Sequence, residues 1–327
     1  MAKQTQHTER TRQQKKFYVK TSKTSMTQQR LLLLVPLLGI LVYALVLFFI
    51  RAYQTWQYRR ACRKLAALPV DREDIQRKLG GVPLYYVNCN VHTKRRAYVE
   101  DKAGQLGLGG RDALRRVEGV YGRDMAPDGT YTFSDGTTLH FHTDYVAGKD
   151  FSPAECGCFC SHMRALRRAY DHGDDIALVM EDDVNLDILK EWPTTLPKIM
   201  EDAPSQWSFI QLYAKDLIEP GRFVARTTAR YGGTVAYLVS RHGMRAVLEH
   251  VGYLSGDRLV VPRTDGTFPV DMYMYDVVQD STYTTQPLLI TNNVEVESTI
   301  QNRTFWSSMW EGGAKPGDAV TTKRSLR

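Results

Sequence analysis

The nine residues Ile176–Val184, IALVMEDDV, decide how the rest of the chain is read. The run from Ile176 to Met180 is almost wholly apolar and lacks the alternation of a half-solvated strand. It therefore predicts a strand covered on both faces. That strand ends abruptly in Glu181, Asp182 and Asp183. Side chains alternate along a strand, so Glu181 and Asp183 are expected on one side and Asp182 on the other. Two carboxylates so placed can hold a hard divalent ion, Mn2+ or Mg2+, with waters and substrate phosphates completing its shell. A solvated acidic turn is the plainer alternative, because acidic triplets are common on surfaces.

Working outward, the segments on either side alternate between strand and helix patterns. VPLYYVN (residues 82–88) predicts a first strand with Asn88 at its carboxyl end. A helix from Thr93 to Leu106 should follow, capped by Thr93, with Arg95 and Arg96 in its first turn. Arginine there opposes the helix dipole, so an anionic ligand or an ordinary surface pair should partner it. Val117–Tyr121 reads as a second strand, and Tyr131–Phe133 and Thr138–Phe141 flank a tight turn as a hairpin. Ser152, Pro153 and Glu155 together predict a helix start with a capping box, and Gly173 its stop. His162 falls on the apolar stripe of that helix and reads as a core histidine. Further on, the pattern predicts a helix over 187–203, strands at Trp207–Leu212 and Thr234–Val239, and a helix opened by Ser240. A helix over Val270–Val278 and a last strand at Leu288–Thr291 complete the series. Such alternation argues an α/β domain with a largely parallel sheet. Ligands of such sheets bind beyond the carboxyl ends of the strands, so Asn88, Glu181 and Asp183 should share one rim.

The bulk properties bound what surrounds this domain. The 327 residues include an uncharged run of twenty, Leu31–Ile50, which matches the thickness of a bilayer core. It lies too far from the start for a cleaved signal, and reads as a single anchor. Residues 1–30 then form a basic, disordered tail, 51–80 a juxtamembrane stem, 81–305 the globular domain and 306–327 a tail. Residues 1–64 carry thirteen Lys and Arg against one acid, while the remainder holds thirty basic and thirty-five acidic residues. The net charge of +7 thus belongs to the flanks of the anchor, where it meets anionic headgroups, and a nucleic-acid partner is not expected. Six basic residues on the N side of the span against five on the C side favour a cytoplasmic N-terminus and a lumenal domain in a Golgi or ER-type membrane. The sequon Asn302-Arg303-Thr304 would then be open to glycosylation. Cys156, Cys158 and Cys160 lack zinc-site spacing and read as small buried hydrophobes.

Several of these stretches, in order, resemble glycosyltransferase family 25, the lipopolysaccharide and collagen galactosyltransferase group with its nucleotide-sugar-binding GT-A fold. VNCNVHTKRR (residues 87–96) is similar to the family's opening strand and Arg-rich turn, SPAECGCFCSH (152–162) to its Glu-Ile-Gly-Cys…Ser-His helix, and ALVMEDDV (177–184) to its metal motif. GTVAYLVSRHGM (233–244), FPVD (268–271) and VESTIQ (296–301) follow in the family's order. The chain departs from the pattern at Tyr121, where the family has Asp, and at Met244, where it has a small residue. The resemblance implies transfer of galactose or glucose from a UDP-hexose to a hydroxyl of a protein or glycan acceptor, with inversion and with Mn2+ or Mg2+ on the diphosphate. It implies Glu181 and Asp183 as metal ligands, with Asp182 assisting through metal waters or the ribose. Asn88, Arg95 and Arg96 would contact uridine or phosphate, and Asp271, with Asp276 behind it, would be the base. A membrane-tethered carbohydrate-binding or assembly protein that kept the fold without the activity is the alternative, against which the intact acidic triplet speaks.

Overall fold

The computed structural model describes residues 26–110, 113–143, 152–213, 223–225, 233–261, 270–285 and 291–292. The chain divides into two compact units, Met1–Arg60 and Ala61–Arg327. The 42-residue helix α1 (Met26–Ala67) contains the whole apolar run Leu31–Ile50. Its side chains are described without interruption from Leu37 to Ile50, and Leu37, Phe48 and Phe49 among them are exposed. At about 1.5 Å per residue that stretch measures roughly 21 Å, short of the ~30 Å core of a bilayer. Among the described residues no helix is long and apolar enough to cross a membrane. The side chains that would complete the expected span, at 31–33 and 35–36, lie outside the described residues.

The second unit runs through α2 (Arg72–Leu79), β1 (Leu84–Cys89), α3 (Thr93–Gln105), β2 (Leu114–Gly119), the hairpin β3 (Thr130–Thr132) and β4 (Thr138–Thr143), and α4 (Pro153–Asp171). It continues with β5 (Ile176–Glu181), β6 (Val184–Asn185), α5 (Leu196–Asp202), β7 (Phe209–Gln211), β8 (Phe223–Ala225), β9 (Ala236–Ser240) and α6 (Arg241–His250). The last elements are β10 (Arg258–Val261), α7 (Val270–Val278), β11 (Thr282–Thr285) and β12 (Thr291–Asn292).

The main sheet has the order β2-β1-β5-β9-β7-β11-β8. β2, β1 and β5 pair in parallel, as do β7 and β11, whereas β9 and β8 run against their neighbours. The sheet is thus mixed and mostly parallel. β5 alternates between two cores as a strand covered on both faces must: Ala177 and Val179 pack with Phe159, Leu166 and Tyr237, while Leu178 and Met180 pack with Tyr86, Val99 and Ile210. Ile75 and Leu79 of α2 belong to the second core, so residues expected to form a stem help to build the globular unit.

α4 starts as its sequence predicts. Ser152 accepts from the Glu155 N–H, Glu155 answers to the Ser152 backbone, and Pro153 occupies the first turn. Gly173 closes the helix at φ 82°. Gly157 lets α4 press against the end of β2, because a Cβ there would stand 2.5 Å from the Val120 carbonyl.

Three expectations need correction. Thr93 is not the cap of α3; His92 holds that position and its side chain makes no capping bond. The helix expected over 187–203 is two pieces, a 3-10 turn at Leu186–Glu191 and α5. Pro193 disfavours helical geometry in the residue before it, and Trp192 accordingly sits at ψ 124°. Thr195 then caps a fresh start by accepting from the Lys198 N–H. Finally, the strand expected over Thr234–Val239 forms as β9 but antiparallel. The strand expected at Leu288–Thr291 lies outside the described residues except for Thr291, which opens β12.

Candidate functional site

The chain passes from β1 to β2 on one side and later places β5 on the other side of β1. The carboxyl ends of β1 and β5 therefore flank a topological switch point, the place where open α/β sheets bind ligands. The register sets Val87 opposite Glu181, which brings the following residues, Asn88 and Asp182, to the same level. The Asn88 Nδ2 donates to Asp182 Oδ2 at 2.7 Å and closes the crevice between the two strands. Arg116 Nε donates to Asn88 Oδ1 at 3.1 Å, so both ends of the Asn88 amide are fixed.

The three acids diverge from there. Asp182, buried, also accepts from Arg95 Nη1 at 2.8 Å, and the His92 ring stands 3.8 Å away. Burial lowers the pKa of His92 and outweighs the pull of Asp182 toward the charged form. Glu181 turns to the other side, where its Oε1 accepts from the Thr234 hydroxyl at 2.5 Å and lies 3.6 Å from His162 Nε2. Burial pushes the Glu181 carboxyl up, but the His162 and Thr234 bonds outweigh it and hold the group below its ordinary value. Asp183 is buried beside both. Burial first, and then the charges of Glu181 and Asp182, push its carboxyl up to about 7 against the opposing effect of Arg95. The phenol of Tyr213 is raised by burial and by Asp183 and Glu181, which places it against the same charge.

No protein-family model matches the chain, and no curated protein matches it significantly. The site has to be read from its own geometry.

That geometry brings together Asn88, Arg95, Glu181, Asp182 and Asp183. Arg96 is not part of the group: it pairs with Glu100 one turn on at 2.9 Å and is half exposed, the surface pair its helix position allowed for. Arg95 meets a protein carboxylate, Asp182. Asp271 is the second residue of α7, and its side chain lies outside the described residues. Asp276 is exposed, five residues or about 7.5 Å farther along the helix axis.

Sequence reasoning missed two contributors. His162 is buried as expected of a core histidine, yet its Nδ1 meets the Tyr237 hydroxyl at 3.0 Å while its Nε2 faces Glu181. Glu118, at the end of β2, accepts from the Ser134 N–H at 3.1 Å and from Asn90 Nδ2 at 2.8 Å, which extends the polar rim by one strand. The signals for them were the capped helix that carries His162, and for Glu118 the strand expected from Val117 to Tyr121 and its place where the resembled family has Asp.

The donor set can be tested against a divalent ion. Among the described residues no group of three or more His, Cys, Asp or Glu is arranged to hold a metal. Zinc wants such a closed shell, whereas Mg2+ and Mn2+ are content with one or two carboxylates plus water and phosphate oxygens. Glu181 and Asp183 fit the second case. Burial first, and then the neighbouring carboxylates, raise the proton affinity of Asp183, and a cation would ease the second of these.

Proposed function

We propose that this chain is a metal-dependent hexosyltransferase that moves galactose or glucose from a UDP-sugar to a hydroxyl of a protein or glycan acceptor. The observation that carries the reading is the cluster of acids, Glu181, Asp182 and Asp183, at the switch point that Asn88 and Asp182 close. Glu181 and Asp183 would hold Mn2+ or Mg2+. When bound, the ion supplies Lewis-acid stabilisation to the diphosphate that departs with its negative charge.

The protein's own residues do the rest. Thr234 and His162 fix the orientation of Glu181 from behind. Arg95 and Asn88 hold Asp182 and so set the level of the whole acidic turn. The edge-on contact of His92 and Tyr121, with ring centroids 5.9 Å apart, offers an aromatic wall beside the crevice for a planar base. Inversion needs a carboxylate to take the acceptor proton on the face opposite the leaving group, by analogy with water activation in inverting hydrolases. Asp271 is the candidate, because α7 leads through a short turn into the start of β11 and so has its first residues toward the rim.

The fold we infer is the GT-A type, carried by a single anchor at Leu31–Ile50 with the N-terminus cytoplasmic and the domain lumenal. Glycosylation of Asn302 in cells tests that orientation, and its absence in an expressed, stable protein would argue for the reverse. For the activity, the full chain in detergent should release UDP from UDP-galactose or UDP-glucose only with Mn2+ or Mg2+. Unchanged turnover after chelation would sink the proposal.

A further inference from the structure

α4 serves two sides of the fold. Residues two apart on a helix point about 200° apart, so the flank that carries Arg164 faces away from the one that offers His162 to the acids. On that flank lies a cleft of about 570 Å³ between the β3–β4 turn, α4 and the Tyr253–Asp257 loop. Its size is that of a small-ligand pocket. Arg164, Arg167, Arg168, His172, Thr137 and Tyr253 line it.

The arginines there are not equally satisfied. Arg167 has acceptors on two of its nitrogens: its Nε donates to Asp171 at 2.8 Å and its Nη1 to the Tyr253 carbonyl at 2.8 Å. Arg164 and Arg168, by contrast, share one acceptor, since both Nη2 groups donate to Asp135 Oδ2, at 2.9 and 2.7 Å. Arg164 is buried at 5 % exposure, its guanidinium lies 3.1 Å over the Phe133 ring, and among the described residues its Nη1 meets no acceptor. A buried donor without a partner forfeits the bond that water gave it. The other charges facing the cleft do not supply one, because Asp171 is taken by Arg167 and Asp257 stands out in solvent 3.6 Å from His140. His172 uses its Nδ1 on the Arg168 carbonyl at 2.6 Å.

We infer that this cleft is a binding site for an oxyanion, a phosphate or carboxylate borne by a small polar ligand, with Arg164 and Arg168 as its recognition pair. Paired guanidiniums take planar or tetrahedral oxyanions through charge-assisted bonds. A bound oxyanion would add the negative charge that two guanidiniums, now bridged by a single carboxylate, are short of. The inference does not depend on the glycosyl-transfer reading.

Calorimetric titration of the full chain in detergent tests it, with inorganic phosphate, glucuronate and neutral glucose as probes. Phosphate or glucuronate should bind and glucose should not. Arg168→Gln, at a half-exposed position that leaves the core untouched, should weaken binding about tenfold, and Arg164→Gln by at least as much. Equal binding of both anions assigns the oxyanion alone, whereas a clear preference for glucuronate assigns an acidic sugar. If Arg164→Gln fails to fold, Arg168→Gln decides by itself. The proposal falls if neither anion binds the wild type, if glucose binds as well, or if binding survives Arg168→Gln unchanged.

Discussion

Asp187 and Asp183 lie four residues apart, both buried, in opposite electrical surroundings. Asp187 meets Lys102 Nζ at 2.9 Å and Lys190 Nζ at 2.9 Å. Nearby, Lys78 is held by Asp74 at 2.6 Å and by the Leu189 carbonyl at 2.9 Å. Lys190 also reaches the carbonyls of Leu65 and Ala66, each at 3.1 Å. Every charge in that group has an opposite charge or a carbonyl, and the group ties α1, α2, α3 and the 3-10 turn together. Asp183 instead shares its corner with the like charges of Glu181 and Asp182, against which Arg95 acts. A balanced cluster is a joint. A crowd of like charges is a place where a bound cation would relieve repulsion, and on the reading proposed above this separates a structural cluster from a functional one.

The most severe test of that contrast is Asp183→Asn. Removing the charge should abolish metal-dependent turnover, measured as UDP release, while the metal-free protein becomes no less stable. If turnover persists, the functional half of the contrast is wrong. Asp187→Ala should do the reverse, because it removes the carboxylate that Lys102 and Lys190 share. Denaturant titration should show a loss of about 3–5 kcal/mol. A loss within the error of the measurement would mean that the joint carries no strain.

A smaller effect concerns pH in the metal-free protein. Below 3.8 the Asp183 carboxyl is protonated in both folded and unfolded chains. Between 3.8 and about 7 the folded protein keeps a proton that the unfolded one releases, and above about 7 both are ionised. Stability from this group should therefore fall as pH rises through that window, by an amount on the order of a few kcal/mol, and then level off. Mn2+ must displace the same proton, so its affinity should climb with pH and flatten above about 7. Thermal melts with and without Mn2+ across the range would show both trends, and a flat metal-free profile would contradict the first. Next in size, Ser152→Ala should cost about 1 kcal/mol through loss of the α4 cap. Smallest is Arg96→Ala, an exposed helix pair expected to change stability by less than about 0.5 kcal/mol.

Elements whose signals are local were legible in the sequence. The capping box at Ser152–Glu155, the glycine stop at Gly173, the cap at Ser240 and the apolar run into Glu181 each need only a few adjacent residues, and each appears where its chemistry puts it. What escaped depends on partners far away in the chain. β10 and β11 are only four residues long each, too short for a pattern. The reversed direction of β9 follows from connections that no periodicity records. The helix position of Arg95 allows an anionic ligand or an ordinary surface pair, and its observed partner, Asp182, stands 87 residues on. The role of Lys190 was invisible for the same reason. At the rim the acids themselves were legible, but the imbalance that distinguishes them from the joint below was not.

The grip of Lys190 on the last turn of α1 bears on how this protein should be handled. Asn185 Nδ2 also touches Cys62 Sγ at 3.4 Å, two residues from Asp183. Soluble versions cut at residue 69, just past the apolar helix, would strip both contacts and leave a buried ammonium facing an empty seat beside the acidic turn. Trimming from residue 61 onward keeps the seat filled. A preparation that starts later would lack both contacts, a fault of carpentry rather than chemistry.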